Sequence, residues 1–178
     1  NVLSQIPQTF TVVTSLSKVN GFYQTTSSTV SVNGTANAIE TRAVRVNGLP
    51  AVWASVTGTW SCAGVPLNPG INRIIIQTFD NPEGTGTELY RDSVDIWYND
   101  GSQSTLSGTL VANTVLDAAS GPWQVTGDVV IPAGITLTIE PGTTVFFNSG
   151  TGITVNGRLL AEGSDYSRIR LTSVPGGS

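Results

Sequence analysis

The run Gly134-Ile135-Thr136-Leu137-Thr138-Ile139-Glu140-Pro141-Gly142 constrains this chain more than any other stretch. Ile135, Leu137 and Ile139 fall on one face of an extended segment, and Thr136 and Thr138 on the other. That is the period of two expected of a half-buried strand. Glu140-Pro141-Gly142 then makes a turn. A second Gly-Ile-Thr, Gly152-Ile153-Thr154, follows 18 residues on (152 − 134) and leads through Val155 into the turn Asn156-Gly157. A repeat of this length predicts stacked coils, each setting its aliphatic residues against those of the next, with Ile135 beside Ile153. Two coils are expected, fewer than the three or so that usually close such a core.

Val129-Val130-Ile131-Pro132-Ala133-Gly134 through Thr143-Thr144-Val145, with Val155-Asn156-Gly157-Arg158-Leu159-Leu160-Ala161-Glu162-Gly163, resembles the opening coils of secreted bacterial right-handed parallel β-helix proteins. The resemblance covers roughly the last third of the chain. It implies a fold and says little about activity, because such coils begin adhesins, surface proteins and polysaccharide-active enzymes alike.

Upstream the rhythm changes. Thr9-Phe10-Thr11-Val12-Val13-Thr14 reads as a strand, and Asn20-Gly21 as a turn. From Thr29, Val30 and Val32 alternate with Ser31 before Asn33-Gly34, read as a turn although it also starts the glycosylation sequon Asn33-Gly34-Thr35. Val44 and Val46 alternate before the turn Asn47-Gly48. Val56 to Cys62 carries Trp60, Ile71 to Phe79 reads as a central strand covered on both sides, and Leu89 to Tyr98 closes the set. Short strands with turn signals and no helical pattern predict a β-sandwich.

Val44-Arg45-Val46-Asn47-Gly48, Gly58-Thr59-Trp60 and Leu67-Asn68-Pro69-Gly70-Ile71-Asn72 resemble the immunoglobulin-like modules of secreted and surface bacterial proteins. The expected organisation is therefore all-β: a lead-in strand and linker at 1–27, an Ig-like sandwich at 28–100, and a β-helix cap with the first coils at 101–178. Leu106 to Val111, Val115-Leu116 and Trp123 to Val125 form that cap, with Trp123 plugging the first coil.

Composition narrows the function. The chain has 178 residues, 39% hydrophobic and 11% charged, with a formal net charge of −4 and a pI near 4.5. There is material for a core, and neither a basic stripe for nucleic acid nor an apolar run for membrane insertion. The absence of Met implies a processed or excised piece. Without His, a Ser-His-Asp triad and a His metal site are excluded. The single cysteine, Cys62, reads as a small buried apolar residue.

The remaining candidates are few. Asp80, Glu83 and Glu88 flank a hairpin tip and offer oxygens to calcium, although carboxylates at such a tip are ordinarily solvated. Trp53, beside the Asn47 to Pro50 turn, is the candidate for stacking on a sugar ring. No catalytic constellation emerges, so the chain is read as non-enzymatic and without a cofactor. Thr9, Phe10, Thr11, Val12, Val13 and Thr14 are candidates for addition to a neighbour's sheet edge, and Ile169 and Leu171 for contact across an open coil end.

These features predict an extracellular or cell-surface bacterial module: a spacer, adhesin part or filament subunit. Its partners would be copies of itself or further domains of a longer chain, with glycans as a further ligand class. The alternative is an accessory, carbohydrate-binding region of a secreted polysaccharide-active β-helix enzyme.

Overall fold

The computed structural model describes residues 10–176. All regular elements among them are strands. The early ones are β1 (Thr11–Val13), β2 (Lys18–Val19), β3 (Phe22–Thr25), β4 (Thr29–Thr35), β5 (Ala43–Val46), β6 (Leu49–Pro50) and β7 (Val52–Ala54). The long strands β8 (Thr59–Pro66), β9 (Gly70–Phe79) and β10 (Glu88–Tyr98) follow. Then come β11 (Ser104–Thr109), β12 (Thr114–Leu116), β13 (Trp123–Ile131), β14 (Thr136–Ile139), β15 (Thr144–Phe147), β16 (Ile153–Val155), β17 (Arg158–Ala161) and β18 (Arg170–Ser173).

Two compact units gather these strands. The first holds the segment ending at Ser17 together with Thr29–Leu67 and Arg73–Asp95. The second holds Lys18–Ser28, Asn68–Asn72 and the segment from Ile96 onward.

In the first unit the pairing is antiparallel. One sheet runs β1-β4-β8-β7, and β5 pairs with both β6 and β9 in another. Alternation decides which way each side chain points: Val30 and Val32 of β4 are buried while Thr29, Ser31 and Asn33 are exposed. Trp60, Cys62 and Val65 of β8 do the same, opposite Ser61 and Thr59. Ile74 through Phe79 are buried without alternation, so β9 is covered on both faces as its sequence predicts.

Two local expectations for this unit are corrected. Asn33-Gly34 lies inside β4 and is not a turn; Asn33 pairs with Ser61 and Gly34 with Trp60. A Cβ on Gly34 would sit 1.8 Å from the Thr11 carbonyl oxygen, so the glycine is there to let β1 come alongside. The strand read as starting at Val56 starts at Thr59, with Val56 in a turn and 88% exposed. Two short strands, β6 and β7, occupy residues that carry no alternation long enough to read. The turns at Asn20-Gly21 and Asn47-Gly48 are as expected, with φ of 50° and 87° at the first pair and 46° and 77° at the second.

From Ser104 onward the second unit is a stack of parallel strands resembling a β-solenoid, with about three turns. Its strands fall into successive faces. Along one face, Thr114 lies beside Leu137 and Leu137 beside Leu159. Along another, Trp123 lies beside Val145 and Val145 beside Leu171. On the third, Gly108 lies beside Val129 and Val129 beside Ile153. Inward positions form one continuous apolar core that includes Leu106, Leu116, Val125, Val129, Ile131, Leu137, Ile139 and Val145.

The register corrects the repeat. Ile153 stacks on Val129, 24 residues earlier (153 − 129), not on Ile135, because β14 and β16 belong to different faces. The segment read as a cap is itself the first coil: β11 and β12 pair in parallel with β13 and β14, and Leu106 and Leu116 enter the core. Trp123 likewise lies on β13, packed against the core, with its indole N–H donating to the Asp117 carbonyl at 2.9 Å.

Outside the stack, the outer face of β15 is also covered. Thr144 is 1% and Phe146 4% exposed although both point away from the core. The Ile71 backbone N–H donates to Thr144 Oγ1 at 2.9 Å, and Trp97 meets Phe146 edge-on at 6.4 Å between ring centroids.

Candidate functional site

The chemistry at the hairpin tip is used internally. Asp80 Oδ1 accepts the Thr87 backbone N–H at 2.8 Å, and Asn81 Oδ1 accepts those of Thr85 and Gly86. Glu83 contributes its backbone carbonyl to Arg45 at 2.7 Å. Glu88 is held by Arg91 at 2.6 and 2.9 Å and by the Gln77 amide at 2.6 Å. The Arg91 bonds, foremost, hold the Glu88 carboxyl below the usual glutamate range. The structure therefore does not bring the three carboxylates together. Among the described residues no group of three or more His, Cys, Asp or Glu is placed to hold a metal ion.

Trp53 pairs with Trp60 across β7 and β8, and is half-buried. Its indole nitrogen is covered and has no hydrogen-bond partner among the described residues. The exposed member of that strand is Val52, 74% accessible. Val52 lines a shallow groove of about 390 Å³ with Thr11, Asn33, Thr35, Thr59 and Ser61, a surface without charge. Cys62 is buried and free, and burial pushes its thiol up in pKa.

Of the assembly candidates, Thr9 lies outside the described residues. Phe10 stacks on Tyr90 at 6.4 Å. Thr11 to Val13 form β1, which already pairs antiparallel with β4 of its own chain, from Thr11 beside Thr35 to Val13 beside Asn33. Thr14 Oγ1 accepts the Leu16 backbone N–H. The lead-in strand is thus itself an edge strand of its own sheet.

Ile169 and Leu171 belong to the last coil, and there the burial changes. Val129, Leu137 and Val145 in the middle of the stack are 0% exposed. Their stacked successors Ile153 and Leu159 are half-exposed, and Leu171 is 49% exposed. Val155 adds another 45% exposed side chain. An apolar row that is dry in one layer is wet in the next.

The same coil carries a groove that the residue pattern alone does not reveal. Thr138, Ile139, Glu140, Pro141, Arg158, Leu160 and Glu162 line a space of about 430 Å³ on the outer face of β14 and β17. Alternation along β17 puts Arg158 and Leu160 outward while Leu159 faces the core, and Glu162, just past the end of the strand, lines the same groove. Neither Arg158 nor Glu162 forms an ion pair with any described residue. The readable signal is the charge order along one strand face, a cation, an aliphatic and an anion at alternate positions.

These features define an all-β protein with a solenoid-like coil stack in its C-terminal part. No family model and no solved structure matches the chain. It is 36% identical over 66 residues to a protein of Drosophila melanogaster named Protein bark beetle. That match covers 37% of this chain and 2% of the fly protein, so the chain spans a small fraction of this relative's length.

Proposed function

We propose that this chain is a non-enzymatic structural module of the cell exterior, in which an Ig-like sandwich precedes the first coils of a right-handed parallel β-helix. Its work is mechanical and associative: spacer, adhesin part or filament subunit on a bacterial surface. The observation that supports this reading is the burial gradient along the stack. Leu137 is 0% exposed, whereas its successor Leu159 on the last coil is only half-buried, and Leu171 is 49% exposed. Surface of that kind, in register with a dry row, is suited to a further layer, whether from another copy or from more of the same chain.

Sedimentation velocity of the purified chain over a hundredfold concentration range tests the associative part. Growth of larger species with concentration supports it. A monomer at every concentration, with tight binding to one glycan, would replace it with the enzyme-accessory reading.

A further inference from the structure

Asn33-Gly34-Thr35 is the only Asn-X-Ser/Thr sequence in the chain. Its glycine and its threonine have local structural reasons. Gly34 makes room for the Thr11 carbonyl, and the Thr35 hydroxyl shares a hydrogen bond with that of Thr11 at 2.9 Å. Asn33 has no such reason. Asparagine is disfavoured inside strands, where its amide competes with the backbone for partners. The other described asparagines of this unit spend their side-chain oxygens on backbone N–H groups: Asn37 on Ile39, Asn47 on Ile75, and Asn81 on Thr85 and Gly86. The Asn33 side chain is exposed on β4 and makes no hydrogen bond to a described residue. We propose that Asn33 is the attachment point of an N-linked glycan, seated in the shallow groove that crosses β4, β8 and β7. The proposal goes beyond the reading of the chain as a structural module and does not depend on copies associating.

Cross-strand register sets what the glycan meets. Asn33 lies beside Ser61 and Ser61 beside Val52, a row across three strands. All three side chains are exposed, Val52 to 74%. With neighbouring strands about 4.8 Å apart, Val52 stands about 10 Å from Asn33. Thr35, Thr59 and Ala54 form the adjacent row. The groove of about 390 Å³ thus offers hydroxyls to sugar hydroxyls, and Val52 to the apolar face of a ring. In the transfer, the Asn33 amide nitrogen attacks the anomeric carbon of a sugar carried on a diphosphate. A carbon–nitrogen bond forms, the carbon–oxygen bond to the diphosphate breaks, the diphosphate leaves with the electron pair, and the amide nitrogen loses one proton. Recognition of the acceptor needs the hydroxyl two residues on, here Thr35. In the folded chain Thr11 engages that hydroxyl, so transfer precedes the closure of β1 onto β4.

Other readings of this groove fit less well. No charged side chain lines it, so it holds nothing for a metal ion, a phosphate or an acidic polymer. A free sugar would find no open aromatic face, because Trp60 at its base is 2% exposed. A tethered sugar needs none, since the covalent link supplies a high local concentration. A turn at Asn33-Gly34 is excluded by the pairing of both residues with β8.

The full chain, secreted from yeast beside N33Q, T35A and T35S, decides the matter by mass spectrometry. The wild-type chain is expected to carry one glycan, on the peptide that contains Asn33, and to lose it to a peptide N-glycanase. N33Q and T35A abolish it, whereas T35S keeps it because serine retains the hydroxyl. Circular dichroism of the secreted chains checks that each is folded. In the glycosylated wild type, nuclear magnetic resonance should show contacts between the first sugar and the Val52 methyl groups. A folded, secreted wild-type chain without the glycan overturns the proposal. So does a glycan that T35A leaves in place, or one carried only by unfolded material. A glycan on Asn33 that touches neither Ser61 nor Val52 overturns its seating in the groove.

Discussion

The two units bury apolar side chains by different rules. In the first, antiparallel strands place alternate residues inward, and the sequence distance between partners varies from strand to strand: Val46 pairs with Leu49 around a two-residue turn, whereas Val32 pairs with Cys62 and Val44 with Thr78. In the second, each residue's neighbour is a whole coil away, as with Val129 and Ile153, and the core exists only because successive layers agree in register. The first kind of unit is closed by opposing strands of its own. The second is as dry as its neighbouring layers allow, which is why Leu137 is fully buried while Leu159, the same position one coil on, is not.

That contrast is broken most sharply by truncating the two leucines in turn. Leu137→Ala removes a side chain packed on both sides by stacked layers and is expected to cost about 3 kcal/mol. Leu159→Ala, with one layer missing, is expected to cost about 1 kcal/mol. Urea unfolding followed by tryptophan fluorescence checks the pair; equal losses would mean that the last coil is as well packed as the middle one.

Glycines give the next largest effect. A Cβ on Gly157 would lie 2.2 and 2.3 Å from the carbonyl oxygens of Pro132 and Ile135, which two strands of the preceding coil hold in place. Gly157→Ala is expected to destabilise the coil stack by about 2 kcal/mol in the same unfolding experiment. On Gly34 the obstruction is the Thr11 carbonyl, on a three-residue edge strand able to move away. Gly34→Ala is therefore expected to release β1, read as faster hydrogen exchange at its paired amides, with about 1 kcal/mol or less lost globally.

How much of this is legible in the residues follows from the same difference. Alternation at Leu137 and Ile139, and at Val30 and Val32, reports which face is buried because it is a local property. Register between coils is not local. The repeated Gly-Ile-Thr marks a glycine bend followed by a strand, which recurs at β14 and β16 on different faces, so its spacing does not measure a coil. The first coil escapes notice for a related reason: β11 and β12 are short, with Thr105 and Ser107 outward around Leu106 and an exposed Val115 beside Leu116, and resemble a cap until their partners are known. Asn33-Gly34 carries turn chemistry, yet the pairing of β4 with β8 on one side and β1 on the other overrides it. The groove beside β17 matches no catalytic or metal motif, because Arg158, Leu160 and Glu162 meet Thr138 and Glu140 only once β14 and β17 are paired.

The smallest expected effect is on pH dependence and belongs to the first unit. Glu88 has a depressed pKa in the folded chain, chiefly through Arg91. Its contribution is present above the ordinary glutamate value of about 4.3 and is lost as pH falls through the lower folded value. Because the pair is partly exposed and screened, the loss is about 0.3 kcal/mol. Glu88→Gln should lower stability near neutrality by about 0.3 kcal/mol and flatten the profile below pH 4, where the two proteins converge. A profile that steepens instead would place the carboxylate in a different environment.

The coil register is tested most directly by proton–proton contacts in solution. Isotope-labelled protein should show cross-strand backbone contacts between Leu137 and Leu159 and between Val129 and Ile153, in the pattern of parallel strands. Contacts between Ile135 and Ile153 in place of these, or an antiparallel pattern at either pair, would contradict the stack and remove the open last coil with it.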